Sequence, residues 1–332
     1  MTQHRPPLPG WIENAVGESP RWRRALALVR KMAPLDAPVL VTGKSGVGKE
    51  VIAQTLHRLS RRNEGPFIPL NCGLLQGNLL ESELFGHTRG AFTGATCAKQ
   101  GLCAAAVDGT LFLDEIGELP PSSQAMLLRL LETGEYRPLG STELHRTNAR
   151  VIAATHRHLP QMVAEGRFRQ DLYYRLNVLS IHVPSLYRRP EDIPLLVEHF
   201  LSQGCAGAPR RLTAAAIERL RRHRWPGNVR ELRNLVERVR VLSDSSEIDE
   251  FMVEEVLASP SAPASARLES GAGQLPGGML GAQGVAPLAD MEAAYVQWAV
   301  DQHRGNVSDA ARSLGVARST IYRILHRAGD GR

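Results

Sequence analysis

Three groups of residues in this chain could together handle a phosphate ester. The first is Gly43-Lys44-Ser45-Gly46-Val47-Gly48-Lys49, with the spacing GxxxxGK. Glycines at this spacing let successive backbone N–H groups turn toward phosphate oxygens, and a following helix aims its positive end at the same place. Lys49 would reach the β- and γ-phosphates of a nucleotide. Residue 50 is Glu50; the general motif has a Ser or Thr hydroxyl there for Mg²⁺, so Glu50 taken alone leaves the metal without that ligand. The second group is Asp114 and Glu115, which close the apolar run TLFLDE. One carboxylate at such a strand end holds Mg²⁺, and a second polarises a water for attack on the γ-phosphate. Two adjacent acids alone are more often a plain exposed strand end; downstream of GxxxxGK the catalytic reading is stronger. The third group is Arg167, Arg169 and Arg175 in GRFRQDLYYRLNV. They offer the positive charge that phosphoryl transfer needs in its transition state, although arginines usually form surface ion pairs.

Two further stretches carry recognition rather than catalysis. GAFTGA comprises Gly90, Ala91, Phe92, Thr93, Gly94 and Ala95. It is a pliable, turn-prone segment holding one large apolar ring, which such a loop has no means to bury by itself. Near the C-terminus, Val307, Ala310, Ala311 and Leu314 follow i, i+3, i+4, i+7 spacing, and Leu-Gly-Val then makes a tight turn. A second helix is expected from about Arg318, with Ile321, Ile324 and Leu325 inward, which gives a helix-turn-helix. Arg318, Ser319, Thr320, Tyr322, Arg323 and Arg327 lie on its polar side, and such residues reach phosphates and base edges. The pattern predicts double-stranded DNA as a partner; the plainer alternative is a two-helix packing module with a basic face.

The elements that must hold these groups follow from periodicity. Pro38–Gly43, Thr110–Glu115 and Ala149–Thr155 are short apolar runs suited to buried parallel strands. Helical spacing follows Lys49 and Pro121, and strands alternating with helices imply a parallel α/β sheet. From Glu191 onward, IPLLVEHFLSQ, TAAAIERLRRH and VRELRNLVERVRVL are helical in pattern. Ser, Ala, Gly and Pro dominate from Ser259 to Pro287, as in a flexible linker. The expected organisation is a tail over 1–13, an α/β subdomain over 14–188, a helical lid subdomain over 189–258, a linker over 259–287 and a helix-turn-helix domain over 288–332. Its first helix, Leu288 to His303, is expected to help dimerisation.

The 332 residues suit two or three domains, and 43% hydrophobic with 22% charged residues is ordinary for a soluble globular chain. A net charge of +6 leans mildly toward polyanions. Cys72, Cys97, Cys103 and Cys205 form no CxxC pair, which favours reduced thiols over a disulfide frame or a zinc site. The N-terminus lacks an apolar signal region and no apolar run could span a bilayer, so a cytoplasmic protein is expected, without membrane insertion.

Together these segments resemble the bacterial enhancer-binding proteins, AAA+ ATPases that activate RNA polymerase carrying the sigma-54 factor. The resemblance runs from about Val16 to Leu257 and resumes in the tail. It rests on GKSGVGKE, PLNCGLL, ESELFGHTRGAFTGA, GTLFLDEIGELP, FRQDLYYRLNV and WPGNVREL. It implies an AAA+ P-loop fold with a helical lid and a Fis-type helix-turn-helix, with ATP and Mg²⁺ as cofactors. It also implies roles. Asn71 pairs with Glu115 and switches it by nucleotide state, and Arg169 and Arg175 reach into a neighbouring subunit's site. Arg230 is the sensor II arginine of the lid, and an acidic residue such as Glu50 is usual after the P-loop lysine. Phe92 and Thr93 tip an exposed loop that rises and falls with ATP turnover and contacts the sigma factor. An exposed aromatic tip suits an intermittent binding hot spot. The family works as a ring, usually a hexamer.

Three departures bear on coupling and rate without removing a catalytic group. His156 stands where many relatives have Asn, Tyr187 stands where Arg is common, and GLCAAAVDGT is looser than usual. Two other functions fit less well. A DNA-binding repressor or architectural regulator with a vestigial ATPase would be expected to lose GAFTGA or the catalytic acids. A general AAA+ machine would not need the helix-turn-helix. Because the P-loop strand starts near Pro38, no receiver or ligand-sensing domain is expected upstream. Control is therefore expected from a separate regulatory protein or from the chain's own abundance.

Overall fold

The computed structural model describes residues 15–74, 77–203, 211–243, 247–258, 295–301, 303, 306–314, 316 and 320–321. Five parallel strands make its main sheet, in the order Phe67–Asn71, Thr110–Asp114, Arg150–Thr155, Val39–Thr42, Leu179–His182. The three inner strands are the three apolar runs of the sequence. All six residues of Arg150–Thr155 are buried, as expected where helices cover both faces of a parallel sheet. The outer strands carry weaker patterns. Pro69 sits mid-strand in Phe67–Asn71, which an edge position permits because one side needs no ladder bonds. In Leu179–His182, Ser180 and His182 are exposed.

Successive side chains point to opposite faces of a strand, and the cores follow. Leu40, Leu111, Leu113, Val151 and Ala153 pack with Leu80, Leu84, Leu127 and Leu172 on one side. Val39, Val41, Phe112, Ile152 and Ala154 pack with Trp22, Val29, Ile52 and Leu56 on the other. The helix Pro20–Met32 supplies Trp22, Ala25 and Val29 to this second core at helical spacing. Ser19 caps its start, the hydroxyl accepting from Trp22 N at 3.3 Å. Buried Arg150 donates to the Met32 and Ala33 carbonyls at its end, at 2.9 and 2.7 Å.

Strand register delivers the chemical groups to one place. Thr42 pairs with Thr155 and with His182, and Asn71 pairs with Asp114. The strands therefore end nearly together. The P-loop leaves Thr42, Glu115 follows Asp114, and His156 follows Thr155, all at the C-terminal edge where open α/β sheets take ligands.

Beyond the sheet, helices Ile193–Ser202, Ala214–Arg222, Asn228–Leu242 and Glu250–Ala258 enclose a third core containing Trp225, Leu196, Leu220, Leu232 and Val236. This lid belongs to the same compact unit as the sheet, Met1–Pro260. In the second unit, helical residues 295–301 and the helix Val307–Leu314 are described. Val296, Val300, Ala311 and Ile321 are buried together there, with Val307 and Leu314 against them. Val307, Ala311, Leu314 and Ile321 thus face inward as their spacing predicts, while the side chain of Ala310, and Ile324 and Leu325, lie outside the described residues. The linker over 259–287 lies outside the described residues. No helix among the described residues is long and apolar enough to cross a membrane.

Candidate nucleotide site and contact loop

The P-loop ends on Gly48, and Lys49 opens the helix Lys49–Arg58, so that helix's free N–H groups face the phosphate position. Lys49 is 7% exposed. Its Nζ donates to the Gly43 carbonyl and to Glu115 Oε1, both at 3.2 Å. Gly46 must be glycine for two reasons: its φ is +74°, and a Cβ there would lie 2.3 Å from the Gly227 carbonyl of the lid.

The two acids sit in different electrostatic states. Asp114 is raised above the ordinary carboxylate value by burial and by the neighbouring Glu115 charge. For Glu115, burial pushes upward, but hydrogen bonds from His156 and the charge of Lys49 outweigh it and hold the carboxyl below its usual value. Glu115 has φ 54° and ψ 50°, a left-handed backbone that costs a non-glycine residue about 1 kcal/mol or more. Its side chain is thereby turned to Lys49 on one oxygen and His156 on the other. Oε2 accepts from His156 Nδ1 at 2.6 Å and from the His156 backbone N at 3.1 Å. Asn71 lines the same cleft, but its Oδ1 accepts from Gly73 N at 2.9 Å. The hydrogen bonds that Glu115 accepts here come from Lys49 and His156 rather than from Asn71, which strand pairing sets beside Asp114.

The lid closes the cleft. Backbone N–H groups of Val229 and Arg230 donate to the Gly46 carbonyl at 2.9 and 3.3 Å. Asn228 Nδ2 donates to the Ser45 carbonyl at 2.9 Å, while its Oδ1 accepts from Leu186 N at 3.0 Å. Arg230 Nη1 donates to Ser45 Oγ at 3.2 Å. The cleft holds about 360 Å³, lined by Ser45, Gly46, Gly48, Lys49, Glu50, Asn71, Asp114 and Glu115 on the sheet side and by Leu196, His199, Phe200, Arg230 and Arg233 on the lid side. Val47 turns into the core, 1% exposed, and Lys44 lines a neighbouring cleft with Tyr187 and Arg188. Under the P-loop lies Arg189, 1% exposed. Its Nη2 donates to the Val47 carbonyl at 2.8 Å and its guanidinium lies 4.4 Å over the Trp22 ring. Burial pushes it down to about 10, still charged at neutral pH.

Arg169 and Arg175 do not line this cleft. Arg169 forks onto Asp171 at 3.0 and 2.7 Å, and Arg175 donates twice to the Leu131 carbonyl. Both are largely accessible to another molecule.

The GAFTGA loop corrects one expectation. Phe92 is half-buried, edge-on to His87 with ring centroids 5.0 Å apart, rather than an exposed tip. Positive φ at Gly90 and Gly94 folds the loop back, and Gly90 N donates to the Ala95 carbonyl at 2.9 Å. Gly90, Thr93 and Gly94 are exposed, Ala95 is buried, and Ala91 is half-buried near Gly140. The base of the loop is tied to the hairpin formed by Glu135–Tyr136 and His145–Arg146, Thr88 N donating to the Leu139 carbonyl at 3.0 Å.

In the tail, Thr320 is half-buried next to fully buried Ile321. Arg318, Ser319, Tyr322, Arg323 and Arg327 lie outside the described residues. Sequence reading missed His199, Phe200, Arg233, Asn228 and Arg189. The lid residues carried only a helical pattern, and nothing local in SLYRRPEDIPLL distinguishes a buried arginine from an exposed one.

Residues 15–182 match the Sigma-54 interaction domain, residues 188–269 the AAA+ ATPase lid domain, and residues 287–326 the Fis family of bacterial regulatory proteins. The chain is 43% identical over 320 residues to the transcriptional regulatory protein GlrR of Escherichia coli K12, covering 96% of this chain and 68% of that one. It is 44% identical over 315 residues to ZraR of the same organism, covering 94% and 68%. Its fold superposes on the crystal structure of NtrX from Brucella abortus in complex with ATP with a TM-score of 0.69, at 31% identity, covering 95% of this chain and 69% of that one.

Proposed function

We propose the following working cycle for this chain, which belongs to the sigma-54-dependent transcriptional activators, AAA+ ATPases with a Fis-type DNA-binding domain. ATP enters the cleft between sheet and lid. The P-loop N–H groups and Lys49 take its phosphates, and Arg230 reads the γ-phosphate from the lid. The donor set suits Mg²⁺, which is usually held by one or two carboxylates plus substrate phosphates; Asp114 is the carboxylate beside the phosphate position and would hold it. Bound there, the ion would neutralise phosphate charge. Glu115 takes a proton from the attacking water as its oxygen bonds to the γ-phosphorus. The bridging P–O bond breaks and its electron pair leaves with ADP. Arg169 and Arg175 serve the site of a neighbouring subunit in a ring, which their absence from their own cleft supports.

Output passes through the Gly90–Ala95 loop to the sigma-54 polymerase, with Phe92 and Thr93 as the contact. A packed route links site and loop. Glu115 leads through Glu118 into the helix Pro121–Thr133, whose Ser122 and Ser123 hydroxyls donate to Glu81 Oε1 at 2.7 and 2.9 Å. Glu81 lies on the helix Asn78–Phe85, which runs directly into the loop's base. The tail holds upstream double-stranded DNA as a dimeric unit through Arg318, Ser319, Thr320, Tyr322, Arg323 and Arg327, and the work takes place in the cytoplasm.

The observation that carries this reading is the meeting of Lys49, Asp114, Glu115 and Arg230 around one cleft. The experiment is in vitro transcription from a sigma-54 promoter. ATP supports open-complex formation, a non-hydrolysable analogue does not, and Lys49→Ala loses nucleotide binding together with transcript. Transcription that proceeds with the analogue overturns the hydrolytic cycle.

A further inference from the structure

A second cleft opens beside the P-loop and shares no lining residue with the nucleotide site. It holds about 680 Å³, within the range of small-molecule sites, about 300–1,000 Å³. Lys44, Arg188 and Arg224 line it together with His182, and no carboxylate does. The three cations are exposed, and none of their charged groups has a partner among the described residues. Glu231, the acid in the first turn of the helix Asn228–Leu242, is turned instead to the Gly227 N–H at 2.8 Å. Cations gathered in one cleft without a counter-ion repel one another, and a bound anion relieves that repulsion.

Each cation leaves a pinned backbone. Lys44 lies between Gly43, whose N–H donates to the Thr155 carbonyl at 3.2 Å, and Ser45, whose carbonyl accepts from Asn228 Nδ2 at 2.9 Å. Arg188 N donates to the Ser185 carbonyl at 3.0 Å, and the next side chain, Arg189, is buried on the Val47 carbonyl. Arg224 precedes Trp225, which is 1% exposed and donates from Nε1 to the Leu220 carbonyl at 2.9 Å. Trp225 holds a left-handed backbone, φ 49°, a conformation that a bulky residue keeps only where its surroundings impose it. The cleft also has an apolar side. Tyr187 is 63% exposed, and exposed Pro226 lines the same space. An exposed aromatic ring beside unpaired cations suits a ligand that joins phosphates to a flat ring.

We propose that this cleft is a second, regulatory nucleotide site: Lys44, Arg188 and Arg224 take the phosphates of a nucleotide carrying two or more of them, and Tyr187 stacks on its base. Such a ligand ties the P-loop, through Lys44, to the lid, through Arg224. It thereby favours the arrangement in which Asn228 and Arg230 hold Ser45, and ATP in the first cleft binds more tightly. This coupling, though not the site itself, rests on the reading of the first cleft as the ATP site. A rigid duplex cannot follow its phosphates into a space walled by the P-loop and a lid turn, so a small ligand fits better than DNA.

The probes are GDP and inorganic pyrophosphate. Each is titrated by calorimetry, with Mg²⁺, into the full chain saturated with a non-hydrolysable ATP analogue. GDP binds at one further site per chain, more tightly than pyrophosphate. Arg188→Ala and Arg224→Ala each weaken both probes by about 10-fold, the loss of one charge-assisted bond. Tyr187→Ala weakens GDP by about 10-fold, the loss of one stacked base, and leaves pyrophosphate within about 2-fold. All three side chains are exposed, so these changes open no core. GDP raises the affinity of the analogue by about 5-fold or more, and the arginine variants abolish that gain. No saturable binding of either probe below about 1 mM overturns the site, and so does binding that the arginine variants leave unchanged. Equal affinity for GDP and pyrophosphate overturns the assignment to a nucleotide. Analogue affinity that GDP does not change overturns the regulatory role. If the arginine variants weaken a random-sequence DNA duplex but neither probe, the cleft is a DNA contact and the proposal fails. Lys49→Ala keeps the two readings apart. If it binds the analogue as the unaltered chain does, the ATP reading of the first cleft fails, while the response of the probes to Arg188→Ala and Arg224→Ala still decides the second site.

Discussion

Arg189→Met removes a charge that no solvent reaches, and its consequences can be worked from the contacts. The Val47 carbonyl loses a donor at 2.8 Å, and a bond from a charged donor is worth about 1.5–3 kcal/mol. The stacking over Trp22 at 4.4 Å contributes about 2 kcal/mol when desolvated. Asp192, fully buried and 3.9 Å away, keeps three donors, from Glu18 N, Ser19 N and the Ser19 hydroxyl, so it is left partly compensated. Relief from burying a guanidinium whose Nε has no partner among the described residues offsets part of the loss. Methionine fills most of the space. A net destabilisation of about 3 kcal/mol corresponds to a melting temperature lower by roughly 6–12 °C for a unit of this size. Because Val47 lies in the P-loop, ATP affinity falls by about 10-fold as well, the weight of one lost positioning bond. Arg150→Met is the control. Arg150 is equally buried, also has an unpartnered Nε, and holds the Met32 and Ala33 carbonyls at the end of a helix outside the cleft. It should lose similar stability and keep its ATP affinity. Differential scanning fluorimetry and ATP calorimetry on both variants decide the matter. Equal losses of affinity would refute local positioning of the P-loop and point to general loosening.

Mixing inactive Arg175→Ala subunits with inactive Lys49→Ala subunits should restore part of the ATPase activity, since each supplies what the other lacks at a shared interface; no recovery at any ratio argues against a site built between subunits. Phe92→Ala should abolish transcription from a sigma-54 promoter while basal phosphate release stays within about 2-fold, because the ring lies outside the phosphate site; normal transcript yield removes the loop from the contact. Asp114→Asn should raise the melting temperature of the nucleotide-free chain at pH 7 while turnover is lost. The folded carboxyl is raised above 3.8, so its charge penalises the folded state at neutral pH, and that penalty disappears as pH falls through the folded value. A lower melting temperature would show that the charge is compensated.

What the sequence revealed and what it hid divide along a physical line. GxxxxGK, the acids closing TLFLDE and the three inner strands are local patterns, and the sheet register brings them together as read. The edge strands escaped because Pro69 and the exposed Ser180 and His182 interrupt their apolar character. Asn228 and Arg189 escaped because their roles lie in contacts across more than 140 residues, to Ser45 and Val47. Spacing along the chain does not encode such partners. Phe92 is the instructive case between the two. Composition was right that GAFTGA alone cannot bury the ring, yet the loop does not stand alone. His87, at its own base, receives the ring edge-on, and an aromatic pair of this kind contributes about 0.5–1.5 kcal/mol beyond the area it covers. In the proposed cycle, a resting place of that depth would shield the ring from solvent between turnovers and be shallow enough to be left for a better-packed partner. If so, weakening the rest position changes timing rather than contact. His87→Ala should leave the Phe92 interface intact and increase association with the sigma-54 factor in the absence of ATP, measured by co-sedimentation with the purified factor. Unchanged or weaker association would mean that the His87 contact holds the ring in its working orientation instead of storing it.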